Sequence, residues 1–169
     1  DVYEGLLEFT GSGEFRGFIG APRVIPNIFD YLWRRIATKE QRKRMVLFLP
    51  TEYSGIDIDD QGFIYATVAE GSVQNGQAIR RLNPSGSDVL RRRGFHIPQG
   101  DLKYPYPWDE ASITGPSVFV DITTHEYGVY SALDSRRGRV FTYDGNGNLL
   151  WVFGAKGAQK GTLQNATAI

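Results

Sequence analysis

The sequence predicts an all-β fold of short, meandering strands, and three observations carry that prediction. β-branched and aromatic residues come in short runs, glycine-rich turns separate the runs, and the resulting units resemble one another. The clearest unit is residues 138–154, GRVFTYDGNGNLLWVFG. Residues 140–143 suit a pleated, half-buried surface. Asp144-Gly145-Asn146-Gly147 concentrates residues that tolerate positive φ, as a hairpin turn demands. The continuous apolar run 149–153 predicts a strand buried on both faces. A helix is disfavoured, since each interior glycine costs about 1 kcal/mol relative to alanine.

Two further copies follow the same design. Residues 6–20 superimpose on 140–154 without a gap, placing Gly11, Gly13 and Gly20 on Gly145, Gly147 and Gly154. In residues 79–90, Asn83-Pro84 stands for Asp144-Gly145 and Gly86 for Gly147. A second strand–turn–strand element precedes two of these hairpins, at 55–67 and at 118–132. Each full unit is then four strands: about 55–59, 63–68, 78–83 and 88–93, and again about 117–122, 128–133, 139–144 and 149–153. Such a self-similar meander is the pattern of a β-propeller blade.

The spacing locates two insertions. Gly13 and Gly86 lie 73 residues apart, and Gly86 and Gly147 lie 61 apart, against roughly 40 to 50 for a propeller repeat. Ile28, Phe29, Leu32, Trp33 and Ile36 fall at helical spacing, and Thr38-Lys39-Glu40-Gln41 reads as a capping box, which predicts a short helical insertion over about 26–46. Residues 95–116 are rich in proline, tyrosine and tryptophan and read as an ordered loop. The whole of 1–169 is thus expected to be one partial propeller domain. It holds the end of a blade at 1–20, the helical insertion at 21–50, a blade at 51–94, the loop insertion at 95–116, a blade at 117–154, and the start of another at 155–169. About two and a half blades fall short of the roughly four to eight of closed propellers. The chain is therefore expected to be part of a longer one, and its open strand edges to invite self-association.

Composition bounds the function classes. The 19 basic and 19 acidic side chains cancel, so no global electrostatic case for nucleic acid exists. No stretch approaches the roughly 20 apolar residues of a membrane span. The absence of cysteine excludes disulfides, thiol catalysis and zinc–cysteine sites.

Particular residues also point to a family. Gly138-Arg139-Val140-Phe141-Thr142-Tyr143-Asp144 with Gly147-Asn148, then Phe153-Gly154 and Gly161-Thr162-Leu163, resembles the NHL-repeat β-propellers. Residues 27–30 and 38–42, running into 50–53 and 62–67, resemble the insertion of uncharacterised NHL-type proteins of Gram-positive gut bacteria. The resemblance implies a bacterial protein, in a compartment it does not fix, that acts as an interaction scaffold. It also brings an alternative, since related six-bladed propellers include metal-dependent lactonases and lyases.

Candidate site residues divide by these readings. Under the lactonase reading, Asp57 and Asp121, near the ends of two first strands, are the pair named as metal ligands. Under the scaffold reading no metal, cofactor or catalytic residue is expected. Asp57, Asp59 and Asp60 with Gly62 depart from a calcium loop because the twelfth position is Val68, not a glutamate. His96 and His125 are the only histidines, and neither sits in a recognisable nucleophile constellation; His125 is expected in an exposed turn. Trp33, Arg34 and Arg35, with Lys39, Arg42, Lys43 and Arg44, form a basic and apolar surface suited to an acidic partner or a membrane face, or simply the wet side of an amphipathic helix. Arg91, Arg92 and Arg93 read as charges guarding a strand edge. Tyr104, Tyr106 and Trp108, spaced by prolines, suit an aromatic contact with a sugar or peptide, or a lid over a blade junction. The partner itself, protein or small molecule, is not written in these residues.

Overall fold

The computed structural model describes residues 6–19, 51–73, 76–90, 98–102 and 115–169. Among the described residues nine strands form three antiparallel sheets. β1 (Leu6–Phe9) pairs with β2 (Phe15–Ile19). β3 (Tyr53–Ile58), β4 (Ile64–Val68) and β5 (Ile79–Leu82) form the second sheet in chain order. β6 (Phe119–Thr124), β7 (Tyr130–Asp134), β8 (Arg139–Tyr143) and β9 (Leu149–Phe153) form the third, also in chain order. Among the described residues the only helical pieces are two single 3-10 turns, Glu70–Ser72 and Glu126–Gly128. The fold is all-β.

The core lies between the second and third sheets. The register sets Tyr130 opposite Tyr143 and Ala132 opposite Phe141 on one face of the third sheet. Tyr65 meets that face with its ring centroid 5.2 Å from Tyr130, and Tyr143 stacks on Tyr130 at 5.3 Å. Ile79, Phe119 and Ile122 complete the same buried cluster. Burying each such apolar side chain contributes roughly 1.5–3 kcal/mol. β3 and β4 lie against β6, and the approach is close. A Cβ on Gly55 would stand 2.6 Å from the Asp121 Cα, so only glycine admits β3 there.

Among the described residues five hairpin turns share one frame, the amide of the first residue donating to the carbonyl of the fifth, and four of them are built alike. Thr10, Asp59, Asn83 and Asp144 each open a turn, and three residues later Gly13, Gly62, Gly86 and Gly147 take φ of 83°, 80°, 80° and 84°, the left-handed region where glycine meets no Cβ penalty. In each, the opening side chain accepts the amide of the fifth residue: Glu14, Phe63, Ser87 and Asn148, at 3.1, 2.8, 2.8 and 2.9 Å. The side chain thus ties the turn to itself.

Two expectations change. The apolar run 149–153 forms β9, but every residue of it is exposed, because β9 ends the third sheet and lies outside the core cluster that the sheet shares with its neighbour. Continuous apolarity did not distinguish an edge strand from a central one. The strand expected at 88–93 is reduced among the described residues to a single bridge between Leu82 and Asp88, with residues 91–97 outside the described set. Trp33, Arg34, Arg35, Lys39, Arg42, Lys43, Arg44, Arg91, Arg92, Arg93, His96, Tyr104, Tyr106 and Trp108 also lie outside the described residues.

Candidate functional site

The fifth turn departs from the other four. It joins β6 to β7, and His125 holds the position that Thr, Asp or Asn holds elsewhere. The frame is retained: the His125 amide donates to the Val129 carbonyl at 2.8 Å, and Gly128 takes φ 74°. The side-chain tie is lost. The His125 imidazole turns away, and its Nε2 shares a 2.8 Å hydrogen bond with the Ser131 hydroxyl, itself 2.7 Å from the Thr142 hydroxyl. The Val129 amide donates instead to the Glu126 carbonyl at 3.3 Å. Tyr127 takes φ 61° and is 96% exposed, the one positive-φ residue other than glycine among those described. A bulky side chain in that region is strained by about 1–2 kcal/mol.

This turn and the Asp59–Gly62 turn meet at the same end of the stacked sheets. Between them opens a cleft of about 700 Å³, with Ile58, Asp59 and Asp60 on one wall, Thr124, His125 and Glu126 on the other, and Trp151 of β9 at its side. A polar extension of about 450 Å³ reaches Arg81 and Tyr127. The Arg81 guanidinium lies 4.1 Å from the centre of the Phe63 ring and 3.4 Å from Asp59 Oδ2, so it is already held by a cation–π contact and an ion pair. Asp60 and Glu126 bring carboxylates to the cleft, and Trp151 and Tyr127 supply aromatic surface. Such a cleft can hold a ligand by stacking and charge. The hydroxyl beside the His125 imidazole, that of Ser131, is buried and shared with the buried Thr142.

Asp57 and Asp121 do not come together as equivalent residues. Asp57 stands opposite Tyr65, and the equivalent place in the third sheet, opposite Ser131, is held by Thr123, whereas Asp121, opposite Leu133, takes the place of Gly55. Asp57 Oδ2 accepts the Thr124 amide at 2.7 Å, the Thr124 hydroxyl at 2.9 Å and the Thr123 hydroxyl at 3.3 Å, and its Oδ1 accepts the Ile58 amide at 2.9 Å. Those four donors occupy about the full capacity of a carboxylate. Burial works to raise the Asp57 pKa, but the hydrogen bonds, led by the Thr124 amide and hydroxyl, outweigh it and lower the pKa. The residue stitches β3 to β6. Asp121 Oδ2 accepts the Ile169 amide at 2.9 Å and holds the last described segment on β6. Among the described residues no three His, Asp or Glu side chains converge as metal ligands.

The cleft residues Asp60, Glu126, Tyr127 and Trp151 were not singled out as ligand contacts in the sequence. One signal was present. Aligning the turns puts His125 where the others carry a capping side chain, and a broken local rule marks a functional candidate.

These features define an all-β protein with an open cleft at one end of two stacked antiparallel sheets. No protein-family model and no curated protein matches the sequence.

Proposed function

We propose that this chain is a non-enzymatic binding or scaffolding module built on a β-propeller of the NHL type, with the cleft at the His125 turn as its contact surface. The architecture is supported by the repeated hairpins, by the meander order of the second and third sheets, and by the adjacency of β3 and β6, the first strand of each. The observation that carries the functional reading is the fifth turn. It gives up a side-chain cap and holds Tyr127 in a strained, fully solvated position beside the cleft, and local strain of this kind collects at binding sites. The lactonase alternative is disfavoured because Asp57 already receives four donors from its own fold.

The test is an array of glycans and peptides incubated with the labelled protein, in parallel with Trp151→Ala and Tyr127→Ala. Binding to a defined set of probes that both variants lose supports the proposal. Binding that both variants retain moves the contact surface elsewhere, and stoichiometric divalent metal with ester hydrolysis would revive the enzymatic alternative. Self-association belongs to the same proposal. β9 offers an unpaired edge with five exposed apolar residues, the situation in which strands pair with another chain. Light scattering that shows a strict monomer at high concentration contradicts it. No helix among the described residues is long and apolar enough to cross a membrane.

A further inference from the structure

We propose a second binding site at the opposite end of the same two sheets: a small cavity that takes one neutral, ring-sized apolar group carrying a hydrogen-bond donor. The cavity measures about 190 Å³. Val68 and Phe119, both buried, form its floor, with Ala78 and Val118 beside them. Glu70, Gln99 and Leu102 are exposed and form its rim. An apolar cavity of about 150 Å³ is known to hold benzene in another protein, so this volume admits a substituted ring.

Charge selects the ligand further. Asp101 Oδ2 lies 2.8 Å from Arg139 Nη1 and 3.6 Å from Arg137 Nε, and Glu70 Oε1 lies 2.6 Å from Arg136 Nη2. Both rim carboxylates already face guanidinium groups, so neither calls for a cationic ligand. An ion of either sign would lose its water against the apolar floor of Val68 and Phe119. Carboxylate and carboxamide oxygens at the rim still accept hydrogen bonds, which favours a hydroxyl or N–H on an otherwise apolar ring.

The cavity wall cannot fold inward to fill the space. The Tyr143 hydroxyl donates to the Gln99 carbonyl at 2.6 Å. The Ser117 amide donates to the Asp101 carbonyl at 2.9 Å, and the Asp101 amide donates to Ser117 Oγ at 2.8 Å. A Cβ on Gly100 would stand 2.3 Å from Ser117 Oγ, so this loop is already at its closest approach. A space held open in this way is preorganised, and a ligand that binds only the folded state raises the melting temperature.

Phenol is the probe. Saturation-transfer NMR and thermal melting with phenol should show saturable, millimolar binding and a rise in melting temperature, with no response to benzoate at the same concentration. Leu102→Trp, at an exposed rim position, should plug the mouth and abolish the phenol response while leaving the melting curve cooperative. Val73→Trp, also lining the cavity, serves if the first variant does not fold. N-acetyl-tyrosinamide distinguishes the sources: binding equal to phenol assigns the site to a tyrosine side chain of a partner, and binding of phenol alone assigns it to a free small molecule. No saturation by phenol up to its solubility, or an undiminished response in a folded plug variant, overturns the proposal.

Discussion

The two ends of the stacked sheets are built from the same chain by opposite means. At the cleft end, hairpin turns leave His125, Glu126 and Tyr127 exposed, and the one uncapped turn lies there. At the other end, Arg136, Arg137 and Arg139 face Glu70, Asp101 and Asp134 across the loops. Asp134 is fully buried and accepts the Ser117 hydroxyl, the Val118 amide and the Arg136 amide at 2.8, 2.9 and 2.9 Å. The difference teaches where the molecule places its rigidity. Carboxylates at the locked end are matched to internal partners, so changes there cost stability. Groups at the cleft end face water or an incoming ligand, so changes there cost recognition and little else.

Substitutions should break this comparison in a definite order. Asp134→Ala leaves several donors unmatched beside a partly buried arginine and should cost about 3–5 kcal/mol, read from the urea midpoint of equilibrium unfolding. Gly55→Ala, midway between the ends, forces a methyl group to within 2.6 Å of the Asp121 backbone. It should cost about 1–3 kcal/mol as overpacking does, and a crystal structure should show β3 displaced from β6.

Asp57→Asn should have a smaller effect with a pH signature. The hydrogen bonds that lower the Asp57 pKa contribute stability above the ordinary carboxylate value of about 3.9. That contribution is lost as pH falls through the lower folded-state value. The variant should therefore be less stable than the parent at neutral pH, and the gap should close below about pH 4 in chemical unfolding curves. A constant gap across that range would mean that Asp57 does not act through its charge. His125→Ala should be smaller still, within about 0.5–1.5 kcal/mol for one lost hydrogen bond to Ser131.

What was legible in the sequence follows the same division between local and long-range causes. The hairpins were readable because their chemistry is contained in five residues: an opening Thr, Asp or Asn, and a glycine three positions later. The superposition of Asn83 on Asp144 is matched by the same amide-to-side-chain bonds in both turns. The cleft was not readable, since it joins residues 58–60, 124–129 and 151, which meet only once β3 lies on β6. Asp57 and Asp121 looked comparable by position in the chain. Both strands carry a bulge at the same place, and beyond it Asp57 stands two residues before its turn and Asp121 four, so the pairing sets them at different positions. The exposure of β9 was hidden for a similar reason: Trp151 and Phe153 read as core residues until the sheet is seen to end there.

The central claim is that the β6–β7 turn gives up local stability to hold Tyr127 in solvent beside the cleft. Equilibrium urea unfolding of Tyr127→Gly tests it most directly. Tyr127 has almost no buried surface to lose, and glycine adopts φ 61° without a Cβ penalty. The variant should therefore be more stable than the parent by about 1 kcal/mol, at an unchanged denaturant slope. A variant less stable than the parent would show that Tyr127 is part of the packing, and would contradict the account.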